Sequence, residues 1–218
     1  MNIEQARFNM IEQQIRPWEV LDPKVLKLVA EVPREKYVPA QYQNLAFADT
    51  RIPIGDGQEM MEPRLEARIL QALDIQHGDR VLEIGTGSGY LTACLATLAD
   101  SVVSVEVHEN LSKQAEHQLA ENDIVNISLR VEDAMSDDWA ADGSFDVIVV
   151  TGSLPKMDNR FHDSLNIDGR LFMVVGESPV MEAMLIARLG ENEWSSESLF
   201  ETDLAPLVHA KAPASFLL

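Results

Sequence analysis

The fold of this chain is decided by the stretch Val81-Leu82-Glu83-Ile84-Gly85-Thr86-Gly87-Ser88-Gly89-Tyr90. An apolar run that contains one carboxylate ends in three glycines at alternate positions, and an apolar helical pattern starts at Leu91. This pattern predicts a buried strand, a tight turn and a helix. Glycine is needed where a ligand approaches the backbone closely, and a helix N-terminus offers unpaired N–H groups. We therefore expect a ligand at this turn, with a ligand-free tight turn as the simpler alternative.

Strands and helices alternate along the chain from residue 79 onward. The patterns predict strands at 79–84, 101–106, 127–131, 145–150 and 169–175, and helices at 89–98, at 109–121 and, in a short form, before the last strand. Continuous apolar strands separated by helices are typical of a mostly parallel sheet with helices on both faces. Two further strand-like runs, 183–189 and 194–201, predict a C-terminal antiparallel hairpin. The fold class is therefore α/β.

The first 60 residues carry no strong strand pattern and predict a helical and irregular lead-in. A helical pattern covers residues 3–15, and Asp22 with Pro23 is typical of the start of a second helix. Residues 47–63 are predicted to form a long loop, because proline and glycine interrupt every period, and Pro63 then begins a helix. The expected organisation is a lead-in of residues 1–60 packed on one unit of residues 61–218.

The composition restricts the classes of partner. The 218 residues carry a net charge of −19, which repels phosphate backbones and so disfavours a nucleic-acid partner. The single cysteine, Cys94, excludes an internal disulfide and a cysteine-based zinc site, and the histidines show no ligand-like spacing, so no metal is expected. The first residues do not predict a secretory leader, and the sequence has no apolar run of the ~20 residues that predict a membrane span. We expect a cytoplasmic protein without a membrane partner.

Acidic residues end the predicted strands at the edge where ligands bind in such sheets. Glu106 ends the second strand, and an acid there can accept hydrogen bonds from both hydroxyls of a ribose. Asp133 follows the third strand and could accept a hydrogen bond from an adenine amine. The glycine spacing is E-x-G-x-G-x-G, whereas a pyrophosphate is better served by G-x-G-x-x-G. A carboxylate at Glu83 suits a cation or an ammonium group, which S-adenosylmethionine offers without a phosphate.

Three motifs resemble known sequences. The stretch from Glu83 to Tyr90 resembles the cofactor motif of S-adenosylmethionine-dependent methyltransferases. The motifs Val32-Pro33-Arg34-Glu35-Lys36-Tyr37-Val38-Pro39 and Ile52-Pro53-Ile54-Gly55-Asp56-Gly57-Gln58 resemble protein-L-isoaspartate O-methyltransferases in particular. The likeness extends from about residue 20 to Leu207.

The resemblance implies a Rossmann-like methyltransferase fold, S-adenosylmethionine as methyl donor, S-adenosylhomocysteine as product, and a damaged protein or peptide with an isomerised aspartyl carboxylate as acceptor. By position, Gly85 and Gly87 would contact the methionine portion, Glu106 the ribose, and Asp133 with Ala134 the adenine. The implied cofactor-binding residues are Glu83, Gly85, Thr86, Gly87, Ser88, Tyr90, Glu106, Val107, Asp133, Ala134 and Thr151. The implied substrate-binding residues are Gln58, Glu59, Met60, Pro206 and Leu207.

One stretch departs from the family pattern. Where the family typically has Thr-Ile-Ser and then a proline two residues on, this chain has Glu59-Met60-Met61-Glu62-Pro63. The hydroxyl residue that positions the acceptor carboxylate is replaced by Met61, whose thioether cannot donate a hydrogen bond. Three hypotheses stay open: an isoaspartyl methyltransferase that lacks this hydroxyl, a methyltransferase with a cationic or neutral acceptor, and a non-catalytic cofactor-binding protein that acts through interaction.

Overall fold

The computed structural model describes residues 2–211 of the chain. The helices are α1 (Ile3–Met10), α2 (Pro23–Glu31), α3 (Pro63–Leu73), α4 (Tyr90–Leu98), α5 (Glu109–Glu121) and α6 (Asn159–Asp163). The strands are β1 (Ile52–Gly55), β2 (Gln58–Met60), β3 (Arg80–Ile84), β4 (Ser101–Glu106), β5 (Ile127–Val131), β6 (Phe145–Leu154), β7 (Leu165–Glu177), β8 (Val180–Gly190) and β9 (Glu193–Thr202). Residues 212–218, the predicted end of the second unit, lie outside the described residues.

Strands β3 to β9 form one sheet of seven strands in the order β5-β4-β3-β6-β7-β8-β9. The pairs β3–β4, β4–β5, β3–β6 and β6–β7 are parallel, whereas β7–β8 and β8–β9 are antiparallel. The chain runs outward from β3 to β5 and then returns to place β6 beside β3. This reversal creates a crevice outside the carboxyl ends of β3 and β6, which is where open α/β sheets bind ligands.

The central strands are buried on both faces of the sheet. Along β6, Val147 and Val149 pack in one apolar cluster, while Ile148 and Val150 pack in a second cluster on the other face. This alternation follows from the two-residue period of a strand, and burial on both faces explains why the strand sequences are continuously apolar. The predicted mostly parallel sheet with an antiparallel C-terminal hairpin is confirmed.

The N-terminal segment packs on the first of these faces. Met10, Ile15 and Val25 are buried in the same cluster as Leu95 of α4. Asp22 is the N-cap of α2, where its side chain accepts a hydrogen bond from the Lys24 backbone N–H at 2.7 Å. Pro63 begins α3 as predicted.

The predicted loop over residues 47–63 is wrong for its central part. Strands β1 and β2 form an antiparallel hairpin in which Ile52 pairs with Met60. The reversal uses three consecutive residues with positive φ, namely Gly55 at 113°, Asp56 at 49° and Gly57 at 74°. Two glycines around an aspartate supply the backbone freedom for such a tight turn, and this signal was missed because the strands are too short to show a period.

Strand β6 also differs from its predicted end at residue 150, since it continues to Leu154. Its register with β7 is irregular between Val149 and Ser153. Thr151 therefore lies inside an extended, bulged strand and not in the loop after it. Within residues 2–211 no helix combines the length and the apolar character needed to cross a membrane.

Candidate active site

The glycine turn after β3 lies at the crevice where the strand order reverses. Gly85 has φ +99°, and a Cβ built on it would lie 2.2 Å from Thr151 Oγ1. That hydroxyl donates to the carbonyls of Ile84 and Gly85, both at 2.8 Å. A side chain at position 85 would be strained and would displace the hydrogen-bonded Thr151. The close contact between turn and strand β6 thus requires glycine here.

Glu83 is fully buried below the turn. Its Oε2 accepts hydrogen bonds from Thr92 Oγ1 at 2.5 Å and from Ser104 Oγ at 2.6 Å. Because the Ser104 proton goes to Glu83, Thr86 Oγ1 donates to Ser104 Oγ across 2.6 Å. Burial raises the pKa of Glu83 to about 8, so the carboxyl is neutral at pH 7. Glu83 therefore supports the turn from below, and its predicted contact with the cofactor stays a prediction.

The raised pKa of Glu83 predicts a stability change with pH. An unfolded glutamate ionises near pH 4.5, whereas the folded Glu83 keeps its proton up to about pH 8. Between these values the folded state binds more protons, so the free energy of unfolding falls by up to about 1.4 kcal/mol per pH unit as pH rises. We expect this decrease with rising pH to be absent in Glu83→Gln. Urea denaturation of both proteins between about pH 5 and pH 8 measures the free energy of unfolding at each pH.

The matched control for this measurement is Glu197→Gln on the exposed strand β9, which should keep the pH slope of the unchanged protein. A difference in unfolding free energy between Glu83→Gln and the unchanged protein that stays constant over the pH range would contradict the prediction.

Glu106 lies at the carboxyl end of β4 and faces the crevice. Its Oε2 accepts from the Gly87 N–H at 2.9 Å, and its Oε1 accepts from the His108 N–H at 3.0 Å. An ionised carboxylate offers about four acceptor positions, so each oxygen retains capacity for one further donor. Two neighbouring hydroxyls are the kind of ligand that this geometry can hold.

Asp133 follows β5 at the same edge of the sheet. Its Oδ1 accepts from the Met135 N–H at 2.9 Å, and its Oδ2 pairs with His209 Nδ1 at 2.8 Å. An incoming donor would share Oδ2 with His209 or displace that exposed imidazole. Asp133 is therefore available to an amine at the rim of the crevice, with less spare capacity than Glu106.

One cavity in the crevice has Glu106 and Asp133 in its wall, and we call it the strand-end cavity. Of the residues singled out from the sequence, it is lined by Gln58, Glu59, Gly85, Gly87, Glu106, Val107, Asp133, Ala134, Thr151, Pro206 and Leu207. One wall is the segment 204–208, which lies along β6: the Ser153 N–H donates to Ala205 O at 2.9 Å, and the Leu207 N–H donates to Ser153 O at 3.0 Å. The structure thus brings together residues that lie far apart in the sequence.

A second, smaller cavity adjoins the strand-end cavity. It has Met60 and Met61 in its wall, and we call it the hairpin cavity. Thr86 and Ser88 of the glycine turn also line it, and Glu59, Gly85 and Thr151 are shared with the strand-end cavity. Both methionines are buried at 4 % and 7 % exposure. The hairpin cavity is therefore mainly apolar on the side of β2, with the glycine turn opposite.

Arg34 holds the end of the hairpin in place, although the sequence did not single out its side chain. Its guanidinium is fully buried, forms an ion pair with Glu66, and donates from Nη2 to Met61 O at 2.6 Å. It also donates from Nε to Ala46 O at 2.9 Å and lies 4.8 Å from the centre of the Tyr90 ring. One cation thus connects the hairpin, α3 and the first residue of α4.

Tyr90 lines neither cavity, and its predicted contact with the cofactor stays a prediction. Its side chain is 2 % exposed and packs edge-on against Tyr37, because α4 turns its first residue toward the N-terminal segment. The residues of the strand-end cavity that were not predicted from the sequence are Ile54, Ile84, Val105, Glu132, Met135, Gly152, Leu204, Ala205 and Val208. The alternation of Ile52 and Ile54 around Pro53 was the one available signal, and it marks the β1 strand.

A larger open groove of about 700 Å³ lies between residues 36–43 and α5 and reaches the turn at Gly87 and Ser88. It contains none of the strand-end carboxylates. The strand-end cavity, which lies at the switch point of the sheet and contains Glu106 and Asp133, is therefore the better candidate for ligand binding.

The fold and the acid-lined cavity beside the glycine turn define an α/β protein of the methyltransferase class. The chain matches the family model "Protein-L-isoaspartate(D-aspartate) O-methyltransferase (PCMT)" over residues 5–212. It belongs to this family.

Individual relatives agree with the family match. A protein-L-isoaspartate O-methyltransferase of Syntrophus aciditrophicus is 36% identical over 198 residues, which cover 90% of each chain. One of Yersinia enterocolitica is 36% identical over 202 residues, covering 93% of this chain and 96% of the relative. A crystal structure of a Plasmodium falciparum β-aspartate methyltransferase in complex with S-adenosyl-L-homocysteine shares the fold, with a TM-score of 0.78 and 21% identity over 96% of this chain and 99% of that chain.

Proposed function

We propose that this chain is an S-adenosylmethionine-dependent carboxyl O-methyltransferase that methylates isomerised aspartyl residues in damaged proteins. The observation that carries the proposal is membership of the family over residues 5–212. The strand-end cavity supports it, because Glu106, Asp133 and the glycine turn converge there although they follow different strands.

The residues present fit S-adenosylmethionine. Gly85 and Gly87 have positive φ, and both line the strand-end cavity. Glu106 keeps acceptor positions that would suit the two ribose hydroxyls, and Asp133 and Ala134 line the same cavity, where they would contact the adenine. Within the described residues neither cavity has a Lys, Arg or His in its wall, and four carboxylates line the strand-end cavity, so the charge of its wall opposes an anionic ligand. The donor set therefore suits a cofactor that has cationic groups and no phosphate.

When bound, S-adenosylmethionine supplies a methyl group on a positively charged sulfur, and its transfer to a carboxylate oxygen forms one C–O bond and breaks one C–S bond. A carboxylate is already ionised at neutral pH, so the chain needs no general base for this reaction. Its residues act by holding the two reactants close and aligned, which is a large source of rate. The apolar wall formed by Met60 and Met61 would help by excluding water from the hairpin cavity.

Met61 bears on the choice of acceptor. Its carbonyl oxygen is engaged by Arg34 at 2.6 Å, and its side chain offers no donor to an acceptor carboxylate. A methyltransferase of the same build with a neutral or cationic acceptor is thus the second candidate function.

A methyl-transfer assay with labelled S-adenosylmethionine separates these functions. It uses two peptides that differ only in an isoaspartyl or a normal aspartyl residue. We expect incorporation into the isoaspartyl peptide to exceed that into its control by at least about tenfold, because alignment decides the rate. Release of the label as methanol in mild base would identify the product as an ester.

In parallel with the methyl-transfer assay, calorimetry measures the binding of S-adenosylmethionine. Binding with background incorporation into both peptides would refute the isoaspartyl activity and favour the second candidate. Binding with no acceptor in any class of compound would favour a non-catalytic role. No binding at all would contradict every methyltransferase hypothesis.

The proposal includes a cytoplasmic protein whose partner is a damaged polypeptide and not a nucleic acid. Its support is the net charge of −19, which opposes association with phosphate backbones.

A further inference from the structure

Glu59 has an unusual position among the carboxylates of the site. It lies on β2 and contributes to the walls of both the strand-end cavity and the hairpin cavity. Its neighbours along the strand, Gln58 and Met60, each line just one of the two. The Glu59 side chain is exposed, so its charge is accessible to a peptide that approaches either cavity from solvent.

The other four carboxylates of the two walls have partners within residues 2–211. Glu66 pairs with Arg34, and Glu106 accepts from two backbone N–H groups. Glu132 accepts from Trp139 Nε1 at 2.8 Å, and Asp133 pairs with His209. Glu59 has no hydrogen bond or ion pair from its side chain to any described residue. Its charge is thus available to whatever enters the site.

The charges behind β2 do not compensate for Glu59. Arg34 is buried and neutralised by Glu66, and Arg51 is bound to Glu62 at 3.3 Å. With no cationic side chain in either wall within the described range, an anionic acceptor carboxylate meets a net negative surface. A positive group on the acceptor itself, placed to reach Glu59, would offset this repulsion.

We propose that Glu59 selects isoaspartyl acceptors that carry a lysine or arginine close to the methylated residue. This inference rests on the proposed function. It makes Glu59 a specificity-determining residue that attracts a basic flank and repels an acidic one.

The test uses three isoaspartyl peptides of one sequence, in which the flanking residues are lysine, alanine or glutamate. We expect kcat/KM for the lysine peptide to exceed that for the glutamate peptide by about tenfold at low salt, and salt to reduce this ratio. Glu59→Gln should reduce the ratio to about threefold or less, and Glu59→Lys should invert it. Fluorescence anisotropy of labelled peptides, with S-adenosylhomocysteine present, gives their Kd values independently of activity.

The matched control is Glu197→Gln, which removes the same charge from strand β9, far from the cavities in the order of the sheet. This variant should have the same ratio of kcat/KM between the lysine and glutamate peptides as the unchanged enzyme. It therefore distinguishes an effect of Glu59 from an effect of the overall negative charge. Equal ratios in Glu59→Gln and Glu197→Gln, in both kcat/KM and Kd, would overturn the inference while leaving the proposed function intact. If none of the three peptides is methylated, both the proposed function and this inference are overturned.

Discussion

Replacing Glu106 by alanine should weaken the binding of S-adenosylhomocysteine by about 100- to 10,000-fold. Glu106 is 5% exposed, and its carboxylate has acceptor positions left for two hydroxyls. Each hydrogen bond to a charged group contributes about 1.5–3 kcal/mol, and 1.4 kcal/mol corresponds to tenfold in Kd. The loss of two such bonds accounts for the expected range.

A second contribution adds to this loss. The alanine variant also leaves the Gly87 N–H without its acceptor, which loosens the turn that the cofactor contacts. Isothermal titration calorimetry with S-adenosylhomocysteine measures the change. Glu109→Ala is the control, since Glu109 is exposed at the start of α5 and pairs with Lys113 alone among the described residues. A Kd for Glu106→Ala within threefold of the unchanged value would show that Glu106 does not hold the ribose.

Arg34→Met should reduce the free energy of unfolding by about 3–5 kcal/mol. The substitution leaves Glu66 as an uncompensated buried charge and removes the donors to the carbonyls of Met61 and Ala46. Burial lowers the pKa of Arg34 to about 10, so the guanidinium is still charged at neutral pH and its loss is the loss of an ion pair. Urea denaturation at pH ~7 measures the change.

Two further variants identify the cause. Arg34→Met combined with Glu66→Leu should recover about 2 kcal/mol or more, because apolar residues of similar volume often replace a buried ion pair at little cost. Lys27→Met, which removes an exposed pair with Glu31 at 3.8 Å, should change stability by less than about 0.5 kcal/mol. If Arg34→Met proved as mild as Lys27→Met, the guanidinium would not be the connection between hairpin, α3 and α4 that its contacts indicate.

The elements with strong periodic patterns were predicted with correct bounds. Strand β4, helix α5 and strand β5 have the predicted limits 101–106, 109–121 and 127–131. Strand β4 and helix α5 bury apolar residues, and Ile127 and Leu129 are half-buried at alternate positions of β5, so local sequence carries the signal. The same holds for the turn from Gly85 to Gly89, where glycine is required by the contact with Thr151.

The elements that were missed depend on partners far away in the sequence. Strand β6 continues past residue 150 because Ser153 hydrogen-bonds to the backbone of Ala205 and Leu207. The β1–β2 hairpin has strands of four and three residues, too short for a period. Arg34 is recognisable only through the buried acid and carbonyls that surround it, since an arginine in a polar stretch has no distinctive local pattern.

The sequence by itself determined the α/β class, the position of the glycine turn and the acids that end the strands, since these features depend on local periodicity and glycine conformation. The tertiary structure alone decided the strand order, and hence that the crevice lies between β3 and β6. It also decided that Glu83 is buried below the glycine turn, where desolvation by distant parts of the chain raises its pKa. The same packing of distant segments left Glu59, and no other carboxylate of the two cavity walls, without a partner in the described chain.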